Sequence, residues 1–203
     1  MSDLTRADQF PLHRRDVAKQ ILDAGGDDLL MITGLGSTNW DFTVAGDCER
    51  IFPLWGAMGG AIPMALGLAL AQPTRRILVA TGDAEALMGL GSLASVAVQA
   101  PDNLAIAIFD NERFGETGMQ ATATAHQADL AAIAAGSGIP VTATVREQPE
   151  LDAAIPKMLQ DAGPSVFVIK VRAEKLPFIL PPKDGAYLKD RFRVGLLGDA
   201  GIV

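Results

Sequence analysis

Short runs that are apolar on both faces, alternating with helical patterns, constrain this chain more than any other feature. Residues 29–33 (LLMIT), 77–81 (ILVAT) and 104–109 (LAIAIF) are continuous apolar strands, and 141–145 and 165–171 (SVFVIKV) read as two more. Helical patterns cover 13–24, 62–71, 84–99, 128–135 and 149–161. A strand with no polar face must be covered on both sides, and strands joined through helices run parallel. The expected fold is α/β, a three-layer arrangement of a parallel sheet with helices on both faces. With 203 residues there is room for one domain of ordinary size, taken as residues 1–173. The stretch 174–203 has three prolines, five Lys or Arg and no clear period, and reads as an arm that packs on something else.

Residues 51–73 (IFPLWGAMGGAIPMALGLALAQP) carry no charge and on paper could cross a bilayer. Four glycines and Pro63 break the run, so a glycine-rich turn feeding a buried helix over 62–71 is expected instead. The net charge of −7 argues against a general nucleic-acid binder, which needs a basic face to release counterions. Cys48 is the lone cysteine and can build neither an internal disulfide nor a thiolate zinc site. A reducing cytoplasm is the expected setting. The opening MSDLTRADQF carries acids and no apolar run, unlike a secretory signal.

Polar clusters follow three of the strands, at 34–38, 82–85 and 110–117, and in such sheets ligands sit beyond the carboxyl ends of strands. Asp83 and Asn111 stand 28 positions apart, room for one helix and one strand. A right-handed crossover would set them side by side. A carboxylate and an amide oxygen suit Mg²⁺ completed by water and phosphate oxygens, and the helix start after Asp83 favours an anion. Gly-Asp and Asp-Asn are also ordinary turn pairs, the reading that local chemistry alone favours.

The joint pattern is more specific. GD-x₂₆-DN, preceded by LWGAMGGAIPMALGLALA and followed by ERFGETG, resembles the diphosphate-binding domain of thiamine diphosphate enzymes, whose signature is GDG, a spacer, then NN. The resemblance spans residues 28–172. GDAEALMGLGSLASV with DNERFGETG is most similar to the small, or beta, subunit of two-subunit sulfopyruvate or phosphonopyruvate decarboxylases. It implies thiamine diphosphate and Mg²⁺ as cofactors, with Asp83, Asn111 and the carbonyl of Arg113 on the metal. Gly82, Ala84 and Glu85 would meet the diphosphate through backbone groups, and Ser37 or Thr38 through a hydroxyl in the GLGST turn. Gly56 would offer its carbonyl to the aminopyrimidine. Met58 would wedge between the two rings and bend the cofactor, although Met is commonly core filler. Glu116 would relay a proton, or be a solvated loop acid. Arg113 and His126 would recognise an anionic tail on the substrate, though a lone His is as readily a surface residue. His13 is assigned nothing.

Two departures stand out. Ala84 occupies the place of the second Gly of GDG and is acceptable only at negative φ, and Asp110 replaces the first Asn of NN. In this family a glutamate from a separate pyrimidine-binding domain activates the cofactor, and one diphosphate domain fills this chain. The resemblance therefore implies a 2-oxo acid decarboxylase subunit in a hetero-oligomer with a pyrimidine-domain chain. No membrane or nucleic-acid partner is expected. An apolar face around Trp55, Met58 and Ile62 is expected to be left for the partner chain. A carboligase of the acetolactate synthase type and a degenerate regulatory subunit remain the alternatives.

Overall fold

The computed structural model describes residues 4–201; residues 1–3, and residues 202–203 at the end of the expected arm, lie outside the described residues. The helices are α1 (Arg14–Gly25), α2 (Ser37–Gly46), α3 (Ala61–Ala71), α4 (Asp83–Met88), α5 (Gly91–Gln99), α6 (Leu130–Gly136), α7 (Gln148–Gln160) and α8 (Gly185–Leu197). The strands are β1 (Leu29–Thr33), β2 (Ile51–Pro53), β3 (Arg76–Gly82), β4 (Leu104–Asp110), β5 (Arg113–Phe114), β6 (Gln120–Ala121), β7 (Val141–Val145) and β8 (Ser165–Lys170). Six of them make one sheet in the order β2-β1-β3-β4-β8-β7, parallel at every pair. β5 and β6 form a separate antiparallel hairpin.

The apolar strands work because alternate side chains enter opposite cores. Leu30, Ile32, Ile77, Val79, Leu104, Ile106 and Ile108 meet α3, α5 and α6 on one face. Leu29, Met31, Leu78, Ala80, Ala105, Ala107 and Phe109 meet α1, α2 and α7 on the other. Each large side chain buried this way contributes roughly 1.5–3 kcal/mol, so a polar residue on either face would be costly. The α/β expectation holds.

Several boundaries differ from those read in the sequence. The expected helix over 84–99 is two helices, α4 and α5, broken at Gly89. A Cβ on Gly89 would stand 2.4 Å from the carbonyl oxygen of Gly59, so the 54–60 loop crosses where a straight helix would need room. The GLGST turn ends at Gly36, and Ser37 already begins α2. That helix buries Thr38, Asn39, Trp40, Asp41 and Phe42, and a segment covered nearly all round carries no amphipathic period. The 51–73 segment is β2, a turn and α3, and no helix among the described residues is long and apolar enough to cross a membrane.

The segment after Glu174 is also more ordered than its composition suggests, and it packs on this chain's own domain. Asp184 caps α8 by accepting from the backbone N–H groups of Ala186 and Tyr187. Leu188 and Phe192, one turn apart, are buried, and Phe192 packs edge-on against Phe52 at 5.7 Å. Arg191 pairs with Asp47 at 2.6 Å. Two buried positions in thirteen leave a period too weak to read.

Candidate cofactor site

β1, β3 and β4 lie side by side, and their carboxyl ends are level: Thr33 pairs with Ala80, and Gly82 with Phe109. The polar turns that follow them border one cavity of 630 Å³, a volume suited to a cofactor-sized ligand. Gly82 caps α4, which begins at Asp83. Ala84 lies inside that helix and is absent from the positive-φ residues, so alanine costs no strain where the family usually has glycine.

Asp83 borders the cavity yet is 2% exposed. Its Oδ2 accepts from the hydroxyl of Thr122, with the hydroxyl of Thr124 at 3.0 Å. Its Oδ1 accepts from no other described side chain. Burial first, and the charge of Asp110 second, push the Asp83 carboxyl up to about 7. Asp110 is itself held: Thr124 donates to its Oδ1 at 2.8 Å and Lys170 to its Oδ2 at 2.7 Å. Lys170 also reaches Glu112 at 2.9 Å, and Arg6 pairs with Glu112 at 2.8 Å. Two cations thus balance Asp110 and Glu112, and the charge of Asp83 is left for something else. A buried carboxylate on a cavity, with no cation beside it among the described residues, fits a bound cation.

Asn111 is 6% exposed, lines the same cavity and accepts from the backbone N–H of Arg113 at 2.9 Å. Gly82, Ala84, Ser37 and Met58 line it too. Glu85 turns its side chain inward. Thr81 donates to its Oε2 at 2.6 Å, its Oε1 has no hydrogen-bond partner, and burial raises its pKa. Gly34 permits this: a Cβ there would stand 1.8 Å from Glu85 Oε2. Glu116 sits on the β5–β6 loop at the cavity, where burial raises its carboxyl above the ordinary range. A Cβ on Gly36 would be 3.2 Å from Glu116 Oε1, so the loop acid reaches back to the turn after β1.

Other expected site residues are placed differently from the expectation. Thr38 is 1% exposed and its hydroxyl donates to the Gly34 carbonyl at 2.9 Å, so Ser37 is the one of that pair on the cavity. Gly56 is exposed with φ +71° and does not border it. Arg113 borders the cavity, but its guanidinium donates to the carbonyls of Glu112 and Leu4 and lies 3.8 Å from Asp8, which ties it to the N-terminal segment. His126 lines a different hollow, with Arg146 and Lys170, so the two residues expected to read an anionic tail do not converge. Ile62 is buried in the core, and the indole of Trp55 donates to Pro182 of the tail at 3.0 Å, so of the expected open apolar face Met58 is the member left on the cavity. Thr122, Thr124, Lys170 and Arg14 went unread; no local spacing marks them, and only the Asp of the DN pair hinted at a second buried charge.

Residues 43–169 match the family described as thiamine pyrophosphate enzyme, C-terminal TPP binding domain. The chain is 34% identical over 131 residues to sulfopyruvate decarboxylase subunit beta of Methanocaldococcus jannaschii, covering 64% of this chain and 69% of that one. It is 35% identical over 153 residues to phosphonopyruvate decarboxylase of Streptomyces hygroscopicus, covering 75% of this chain but 38% of that longer protein. Benzoylformate decarboxylase from Polynucleobacter necessarius shares the fold at TM-score 0.68 and 16% identity, over 83% of this chain and 34% of that one.

Proposed function

The chain belongs to the thiamine pyrophosphate enzymes, carrying their C-terminal TPP binding domain, and on that premise we propose that it is one subunit of a 2-oxo acid decarboxylase acting on sulfopyruvate, phosphonopyruvate or a similar acid. A second, pyrimidine-domain chain completes the site, and the setting is cytoplasmic. The observation that carries the reading is the meeting of Asp83 and Asn111 at one cavity, with a carboxylate charge that no described cation balances. Asp83 and Asn111 would hold Mg²⁺, with the Arg113 carbonyl as the third protein ligand. The backbone at Gly82, Ala84 and Glu85 and the hydroxyl of Ser37 would hold the diphosphate, and Gly56 would offer its carbonyl to the pyrimidine. Bound thiamine diphosphate supplies the electron sink that a 2-oxo acid needs to lose CO₂. Glu116, with its raised pKa, keeps a proton at higher pH than a solvated glutamate and can deliver it from the loop to the product carbon. The test is CO₂ release from sulfopyruvate and phosphonopyruvate by the chain co-expressed with a pyrimidine-domain subunit. Turnover that does not require thiamine diphosphate and Mg²⁺ would overturn the proposal.

Metal loading should depend on pH. Below about 7 the Asp83 carboxyl holds a proton that a cation must displace. Mg²⁺-dependent cofactor binding is then expected to weaken by roughly tenfold per pH unit as pH falls below about 7, and to level off above it. Asp110→Asn removes one of the two causes of the raised pKa, so its profile should shift to lower pH. The titration of the free cofactor is common to both proteins and drops out of the difference. Calorimetric titrations giving superimposable profiles would refute the coupling.

Met58, half-buried on the cavity wall, should matter for geometry more than for affinity. Met58→Ala is expected to change cofactor binding by less than about tenfold (about 1.4 kcal/mol) and to cut turnover far more. Equal losses in the two measurements would make Met58 core filler.

A further inference from the structure

Of the two cations expected to read an anionic substrate, His126 lies off the cavity and Arg113 borders it with its guanidinium already engaged by the Glu112 and Leu4 carbonyls, while a further arginine, from the first helix, also borders it. Arg14 begins α1, is 5% exposed and lines the same cavity as Asp83 and Glu116. Its Nε is ion-paired with Asp41 at 2.8 Å, and its Nη1 donates to the carbonyl of Glu174 at 2.9 Å. Its Nη2 donates to no described residue. Asp41 is fully buried and carries a second arginine, Arg15, at 3.2 Å. One carboxylate therefore faces two guanidinium groups, and the nearby Glu174 carboxylate is engaged by His13. Arg15 spends its other end on the Pro177 carbonyl and does not border the cavity. Arg14 borders it with Nη2 free of any hydrogen-bond partner among the described residues.

A guanidinium this buried, with one edge fixed and the other unpartnered, is an incomplete ion site. Its fork matches the paired oxygens of a sulfonate, phosphonate or carboxylate. The cavity also carries the acids Asp83, Glu85, Glu116 and Glu174 and two further cations: Arg113, whose guanidinium is engaged by backbone carbonyls, and Lys175, which is exposed, so Arg14 is the buried cation among them. Resting on the decarboxylase reading above, we propose that Arg14 binds the second anionic group of the substrate and so selects 2-oxo acids that carry one over those, such as pyruvate, that do not. Asp41 is the positioning residue that holds the guanidinium in place.

The test uses the two-chain complex loaded with thiamine diphosphate and Mg²⁺, with sulfoacetate, phosphonoacetate and acetate as unreactive probes. The wild-type complex should bind the first two and discriminate against acetate. Arg14→Gln should weaken the two dianions by roughly thirtyfold, as expected for a lost charged hydrogen-bond pair, and leave acetate and the cofactor little changed. Arg15→Gln removes a partner from the same Asp41 and should leave the preference intact. Arg14→Lys, which keeps the charge and loses the fork, should fall between them and serves if Arg14→Gln fails to fold. Equal effects of the Arg14 and Arg15 substitutions, no preference in the wild type, or a loss confined to cofactor affinity would each overturn the assignment. Binding as expected from a complex that releases no CO₂ from any 2-oxo acid would instead overturn the decarboxylase reading and leave Arg14 as an anion site.

Discussion

Replacing Asp83 with alanine is expected to eliminate Mg²⁺-dependent binding of thiamine diphosphate while leaving the fold standing. The carboxylate occupies the first position of α4 and faces a cavity, so its removal takes charge from a ligand site and leaves both apolar cores untouched. The metal-free protein should even tolerate the change better as pH rises. A carboxyl whose folded pKa, about 7, exceeds its ordinary value of 3.8 binds its proton more tightly when folded, so the wild type loses stability across that window. The variant has no such loss. The cost on the other side is two hydroxyls, Thr122 and Thr124, deprived of an acceptor. Thermal melts at about pH 5 and 8, with and without cofactor and Mg²⁺, check both halves. A cofactor-induced rise in Tm that survives in Asp83→Ala would remove the metal assignment.

The second large effect concerns the partner. This chain purified by itself should turn over no 2-oxo acid, and co-expression with a pyrimidine-domain subunit should restore turnover. The sulfopyruvate relative is named as a beta subunit and matches over 69% of its length, whereas the phosphonopyruvate relative is matched over only 38%. Two kinds of chain or one longer chain are thus the arrangements among relatives. The cavity itself suits a covering surface. Met88 is 64% exposed and Phe178 63%, and with Phe114 they put apolar side chains on its rim. Exposed apolar groups around a pocket favour a bound macromolecular surface. The tail lying on the domain carries Ile179 and Leu180, also exposed, which extends that surface. Size-exclusion chromatography of the co-expressed chains should give one complex whose activity vanishes when the chains are separated. Sustained turnover by this chain alone, with no second polypeptide on a gel, would sink the proposal.

How much of this was legible depended on whether a feature is local. The runs LLMIT and LAIAIF announce strands with two buried faces, because the pleat sends neighbours to opposite sides and both sides are apolar. Gly82-Asp83 and Asp110-Asn111 announce strand ends, because polar residues cannot continue such strands inward. Helix α2 stayed hidden for the opposite reason: Thr38, Asn39, Trp40, Asp41 and Phe42 are all buried, so no polar face marks its turn. The break between α4 and α5 likewise depends on a loop thirty residues earlier in the chain passing close to Gly89.

The amino-acid sequence by itself determined the parallel sheet, its two-sided covering and the adjacency of Asp83 with Asn111, since each follows from periodicity and a short crossover. Only the tertiary structure decided which side chains share the cavity. Lys170 neutralises Asp110 from 60 positions away, Thr124 reaches Asp83 across 41, and Arg14 is anchored to Glu174 across 160. Arg113 borders the cavity, but its guanidinium is engaged by the carbonyl of Leu4, 109 positions earlier. A charged group goes where burial and a partner jointly repay its desolvation, and that partner is set by how the elements pack, which spacing along the chain does not encode.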